Sequence, residues 1–180
     1  KLIREGIETN YKLQLQQILK EVEILKGDVD KRTIYSHEKF VVPMLSYIVD
    51  DFLKSRVRFD DYTIGGMVVC DSSDQAKKLF ELFTANNEIS NNGLSAALIL
   101  YDIGTKDQRK KEIEDFKEGK IDLLFVYNML LTGFDAKRLK KLYIGRLIKD
   151  HNLLQTLTRV NRPYKNFRYG FVVDFADIRK

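Results

Sequence analysis

The chain has 180 residues, of which 44% are hydrophobic and 32% charged; it can bury a sizeable core, which excludes a disordered tail or a collagen-like fibre. Its single cysteine, Cys70, excludes an intrachain disulfide framework and a Cys-based zinc site, and its only histidines, His37 and His151, lie far apart. The net charge of +5 is uneven: residues 1–64 balance 11 basic against 11 acidic side chains, residues 65–135 carry 8 against 12, and residues 136–180 carry 12 against 3. A basic last quarter suggests an anionic partner there, either nucleic acid or a nucleotide phosphate. The same skew also fits a solvated surface.

Residues 1–64 are expected to be helical. Leu13, Leu15, Ile18, Leu19, Val22 and Leu25 recur at three- and four-residue steps until Gly27-Asp28 ends the run. A second helix is expected over Glu38–Lys54, with Pro43 in its first turns, where a missing N–H costs least. From Gly65 the pattern changes. Gly66–Cys70 is a short apolar run closed by Asp71-Ser72-Ser73-Asp74, a ready N-cap for a helix over Gln75–Phe83. Further apolar runs follow at Ala96–Tyr101, Ile121–Tyr127, Lys141–Ile144 and Phe171–Phe175. Helices are expected between them over Lys106–Glu118, with Thr105 as cap and Gly119 as stop, and over His151–Val160. Apolar strands alternating with helices predict an α/β fold, a parallel sheet covered on both faces. The division expected is a helical segment, 1–64, ahead of a sheet domain, 65–180.

Open parallel sheets bind ligands at the carboxyl ends of their strands, which points to the loops after Cys70, Tyr101, Tyr127 and Ile144. None of them carries a phosphate-loop, dinucleotide-binding or nucleophile-elbow motif. No apolar run approaches the ~20 residues of a membrane span, and no signal peptide is present, so a cytoplasmic protein with no membrane partner is expected. Because it opens on Lys1 rather than Met, a piece of something longer is expected.

Two segments carry a resemblance. Val126-Tyr127-Asn128-Met129-Leu130-Leu131-Thr132-Gly133-Phe134-Asp135-Ala136 and Gln155-Thr156-Leu157-Thr158-Arg159-Val160-Asn161-Arg162 resemble motifs V and VI of superfamily-two helicases, in the second of two RecA-like domains. Met67–Ser73 resembles motif IV. Met129–Asp135, His151–Gln155 and Arg159–Arg162 in that order are closer still to the motor (R) subunit of type I restriction enzymes, and the likeness runs from about Gly65 to Asp177.

The resemblance implies an ATP site shared between two RecA-like domains, with the phosphate loop and the Mg²⁺ ligands on the first domain. Arg162 would be the arginine finger and Arg159 its partner, since guanidinium groups stay charged and offer a planar fork to phosphate. Gln155, Gly133 and Asp135 would lie at the nucleotide, and Ser72, Ser73 and Thr132 would contact DNA phosphates. Two of these residues have a plainer reading, Ser72 as a helix N-cap and Asp135 as a helix or turn cap. Tyr127 replaces the threonine common after the motif V strand, and is expected to pack or stack. Lys137, Arg138, Lys140 and Lys141 read as a solvated basic loop, or alternatively as a phosphate-facing one. The implied whole is an ATP- and Mg²⁺-dependent translocase of double-stranded DNA within a type I restriction–modification complex, with modification and specificity subunits as partners. This chain alone is expected to be inactive. Another superfamily-two helicase, or a non-catalytic nucleic-acid-binding module, are the alternatives.

Overall fold

Gly65-Gly66-Met67-Val68-Val69 offers only small and apolar side chains, and all five residues are buried at the centre of the molecule as strand β2 (Gly65–Val69). The computed structural model describes residues 3–5, 13, 15–18, 20–21, 34–129, 134–146 and 160–175. Around β2 stand β1 (Ile3–Glu5), β3 (Ala96–Ile99), β4 (Leu123–Val126), β5 (Leu139–Ile144) and β6 (Phe171–Asp174). They form one six-stranded sheet in the order β1-β6-β5-β2-β4-β3, and every neighbouring pair is parallel.

Among the described residues the longest helices on the sheet are α1 (Glu38–Arg58), α2 (Ser73–Ala85) and α3 (Lys106–Lys117). Period-two alternation along the strands sorts their side chains onto two faces. Val68, Leu123, Phe125, Tyr143 and Val173 pack with Phe40, Met44, Leu45, Ile48 and Phe52 of α1 and with Leu79 and Phe83 of α2. Met67, Val69, Leu124, Val126, Leu142 and Val172 pack instead with Phe116 of α3, Phe134, Ala136 and Val160. This is the doubly covered parallel sheet expected from the sequence.

Local signals fix the helix ends. The Ser72 hydroxyl caps α2, accepting from the Gln75 amide at 3.0 Å, and Thr105 with Gln108 forms a reciprocal capping box on α3. Gly119 follows α3 at a φ of +87°, a left-handed conformation that favours glycine. Helix α1 runs one turn beyond the expected Lys54, because Arg56 is buried and donates to the Ile64 carbonyl and to Asp122 at 2.7 Å.

Two expectations are corrected. Residues 1–64 are not helical throughout, since Ile3–Glu5 is a strand that pairs with β6. The basic run at 137–141 is not a solvated loop either. Only Lys137 is exposed; Arg138 is 5% exposed, and Lys140 and Lys141 are wholly buried in β5. Their charges have internal partners. Arg138 donates to the carbonyls of Thr63 (2.9 Å), Phe116 (2.7 Å) and Ile121 (2.7 Å) and lies over the Phe116 ring. Lys141 pairs with Asp51 of α1 at 3.0 Å.

Candidate functional site

Residues 134–136 approach β5 with the alternation of an extended segment. Phe134 and Ala136 are buried against the α3 face, which leaves Asp135 between them turned outward. On a second approach, Val160 is buried on the same face and the chain then surfaces at Asn161 and Arg162. The two segments meet where Arg162 Nη1 donates to Asp135 Oδ1 at 2.7 Å, with side chains 44% and 56% exposed. One edge of the guanidinium is held by the carboxylate, and its planar fork of N–H donors suits an anion.

The main chain around Arg162 is tied down. The Lys140 ammonium donates to the carbonyls of Val160 (3.2 Å) and Arg162. Beyond Pro163, the Tyr164 hydroxyl meets Thr63 Oγ1 at 2.7 Å, and Lys165 Nζ donates to the same oxygen at 2.8 Å. A cavity of about 540 Å³ opens beside the pair, lined by Tyr62, Thr63, Gly119, Asp135, Arg138 and Tyr164 among others. Its size falls in the range of small-molecule sites.

Thr63, Gly119 and Arg138 precede β2, β4 and β5, so this site lies at the amino ends of the strands. The sequence pointed to the carboxyl ends, whereas this exposed pair stands at the amino ends. The exposed pair is carried by the segments that lead back to the start of the next strand.

The carboxyl ends hold a different group. Ser72 follows β2, is 7% exposed, and spends its hydroxyl on the α2 cap; Ser73 is the first residue of that helix. The fully buried Gln75 braces the turn, accepting from the Asp71 amide at 2.7 Å and donating to the Tyr35 carbonyl at 3.0 Å. Tyr127, after β4, carries the guanidinium of Arg146 over its ring at 4.8 Å. Arg146 also donates to Asn128 Oδ1 at 2.8 Å. Five residues of β2 at about 3.3 Å each separate the two ends by ~15 Å.

The structure thus joins Asp135 to Arg162, and sets both apart from Ser72 and Ser73. Thr132, Gly133, Gln155 and Arg159 lie outside the described residues, as does all but Val160 of the helix expected over His151–Val160. Sequence reasoning placed Lys140 in a basic run but missed its buried role, and it did not single out Gln75 or Arg146. For Lys140 a signal was present, because Leu139 before the Lys140-Lys141 pair and Leu142, Tyr143 and Ile144 after it can continue one strand.

Cys70 is wholly buried, and burial pushes its thiol well up, so it is no nucleophile. Among the described residues no three His, Cys, Asp or Glu side chains converge on a metal position. No helix among them is long and apolar enough to cross a membrane.

Residues 102–177 match the family model "Type I restriction enzyme subunit R domain 3". Over 80 residues the chain is 46% identical to a Methanocaldococcus jannaschii protein assigned as the type I restriction enzyme MjaVIIIP endonuclease subunit, covering 43% of this chain and 8% of that protein. A second M. jannaschii protein, assigned as the MjaIXP endonuclease subunit, is 30% identical over 155 residues, covering 78% of this chain and 14% of that protein. The chain therefore spans only a small part of these relatives. Among solved structures, domain 2 of the DEAD-box helicase Mss116p, bound to an RNA duplex, superposes with a TM-score of 0.56 at 15% identity, covering 76% of this chain and 50% of that one. That likeness shows a helicase RecA-like fold.

Proposed function

The chain belongs to the type I restriction enzyme subunit R family, and from that premise we propose that it is the second RecA-like domain of an ATP-driven motor on double-stranded DNA. The observation that carries the reading is the Arg162–Asp135 pair, exposed beside a cavity at the amino ends of the strands. ATP would lie between this face and a first RecA-like domain. Arg162 would meet the negative charge that builds on the terminal phosphoryl group as its bond to the leaving oxygen breaks. Asp135 would orient the guanidinium by holding one edge, and would be the candidate to accept from a ribose hydroxyl. Gln155, Arg159 and Gly133 are assigned to the same site by their place in the motifs. Magnesium neutralises phosphate charge in such reactions; its ligands, like the phosphate loop, would come from the facing domain.

DNA would run along the opposite end of the sheet. Ser72 and Ser73 stand at the start of α2, where backbone amides and the helix dipole favour a phosphate, and Thr132 belongs to the same track by resemblance. Arg146 adds a positive charge at that end. The whole subunit would act in the cytoplasm with modification and specificity subunits, and would cleave DNA through a separate nuclease domain. The alternative, a non-catalytic nucleic-acid-binding module that uses the basic C-terminal quarter, would have to do without Arg138, Lys140 and Lys141, which are internal.

The decisive experiment is Arg162→Ala in an intact R subunit carrying this segment. DNA-stimulated ATP hydrolysis should fall on the order of 10³-fold or more, with melting unchanged. Near-normal turnover and translocation would sink the assignment. The isolated chain should show no ATP turnover above background, because it would provide only one side of the site.

A further inference from the structure

Lys140 lies inside an apolar strand and its side chain is fully buried. Buried lysines ordinarily find a carboxylate. This ammonium instead donates to two main-chain carbonyls, those of Val160 at 3.2 Å and of Arg162, and no carboxylate among the described residues pairs with it. Burial pushes it down to about 8, as expected of a cation with no compensating anion. Lys141, the next residue, turns to the other face and pairs with Asp51. One strand therefore holds two buried ammonium groups, and only one of them is neutralised by an acid.

The Val160 carbonyl that Lys140 grips is also closely packed against Gly170. A Cβ on Gly170 would stand 2.2 Å from the Val160 carbonyl oxygen, so the main chain passes at a distance only glycine tolerates. Val160 is thus packed closely against Gly170, its carbonyl and that of Arg162 both accept from the Lys140 ammonium, and the Arg162 side chain reaches Asp135.

We infer that Lys140 is a positioning residue, whose ammonium fixes the main chain on either side of Asn161 so that Arg162 reaches across the cleft from a rigid support. The inference rests on reading Arg162 as the arginine finger. Its physical ground is a mismatch between cost and place. A desolvated ammonium without an anion destabilises a fold, and an apolar side chain of similar length relieves that cost. What the apolar side chain cannot do is hold two carbonyls, and displacing a catalytic group by about 1 Å is worth on the order of 10²-fold in rate.

The test uses an intact R subunit, assembled with its partner subunits and DNA, in four forms: wild type, Lys140→Met, Arg162→Ala and the double variant. Lys140→Met should lower kcat for DNA-stimulated ATP hydrolysis about 10- to 100-fold and leave KM for ATP within about 3-fold, since the contact acts on the transition state. It should melt no lower than wild type at pH 7. In the Arg162→Ala background, the same substitution should leave the residual rate unchanged, because Lys140 acts only through Arg162. Lys140→Met with full kcat, beside an inactive Arg162→Ala, overturns the inference and leaves the finger reading standing. Independent losses that multiply in the double variant also overturn it. Near-normal turnover in Arg162→Ala removes the premise and the inference together. If Lys140→Met does not fold, Lys140→Gln replaces it: the uncharged donor should show the same pattern with a smaller loss, and full kcat there is equally fatal.

Discussion

Arg138→Met tests whether the basic run is structural, since Arg138 would have been a natural target for a DNA-affinity mutant. The guanidinium donates to three carbonyls, those of Thr63, Phe116 and Ile121, at 2.7–2.9 Å, and lies 4.8 Å over the Phe116 ring. Hydrogen bonds to a charged group contribute about 1.5–3 kcal/mol each, and a partly desolvated cation–π contact about 0.5–2 kcal/mol. Three effects reduce the sum. The Phe116 carbonyl keeps the Gly119 amide at 3.1 Å, methionine restores some packing, and bonds of one group are not additive. A net loss of about 3–5 kcal/mol remains. In a chain of this size each kcal/mol lowers the melting temperature by about 2–4 °C, so Arg138→Met should melt about 10 °C or more below wild type. Circular dichroism melts at fixed pH and salt give the comparison, with the exposed Lys137→Ala as control within about ±0.5 kcal/mol. Melting of Arg138→Met within about 3 °C of wild type would refute the reasoning. Neutralising Arg138, Lys140 and Lys141 together would consequently report on folding before it reported on DNA.

Lys140 sets a pH dependence whose sign can be stated. Its folded value is lowered to about 8 from 10.5, so between these values the unfolded chain binds the extra proton and stability owed to this residue rises with pH. Lys140→Met should therefore melt above wild type at pH 7, and the gap should narrow by pH 10; a gap that widens would contradict the burial. Gly170→Ala forces a Cβ against the Val160 carbonyl and should cost on the order of 2–3 kcal/mol by thermal melting, while an unchanged melt would show that residues 160–162 can move away. Ser72→Ala should cost about 1 kcal/mol through the α2 cap, and Ser72→Asp should keep the cap while repelling phosphate. An intact subunit with Ser72→Asp should thus fold normally and bind DNA more weakly; unaltered affinity would leave Ser72 as a cap alone.

The sheet was readable because every strand after residue 64 holds a short apolar run, and Thr105 and Gly119 mark α3 as plainly as any signal in the chain. The pairing of Asp135 with Arg162 was not readable, although both residues were singled out. It depends on two loops brought together by the order β6-β5-β2, which spacing along the chain does not encode. Lysine is the residue type that misled most. At Lys140 and Lys141 its charge suggested solvent, but an internal carbonyl pair and Asp51 supply what water would have supplied. Strand β1 went unseen for a simpler reason: three residues are too few to show a period, and only β6 beside them makes them a strand.

That short strand governs how the protein can be cut. β1 covers the outer edge of β6, and α1 supplies Phe40, Met44, Leu45, Ile48 and Phe52 to the core beneath β2 and β5. A truncation starting near residue 65 would strip both away. It would leave β6 with unpaired amides and carbonyls along its whole length, the kind of open edge that recruits strands from other molecules. Such a piece should aggregate on expression, whereas chains that keep residues 3–58 retain a capped sheet. The economical unit for production, labelling or crystallisation therefore starts ahead of Ile3, well upstream of the first motif.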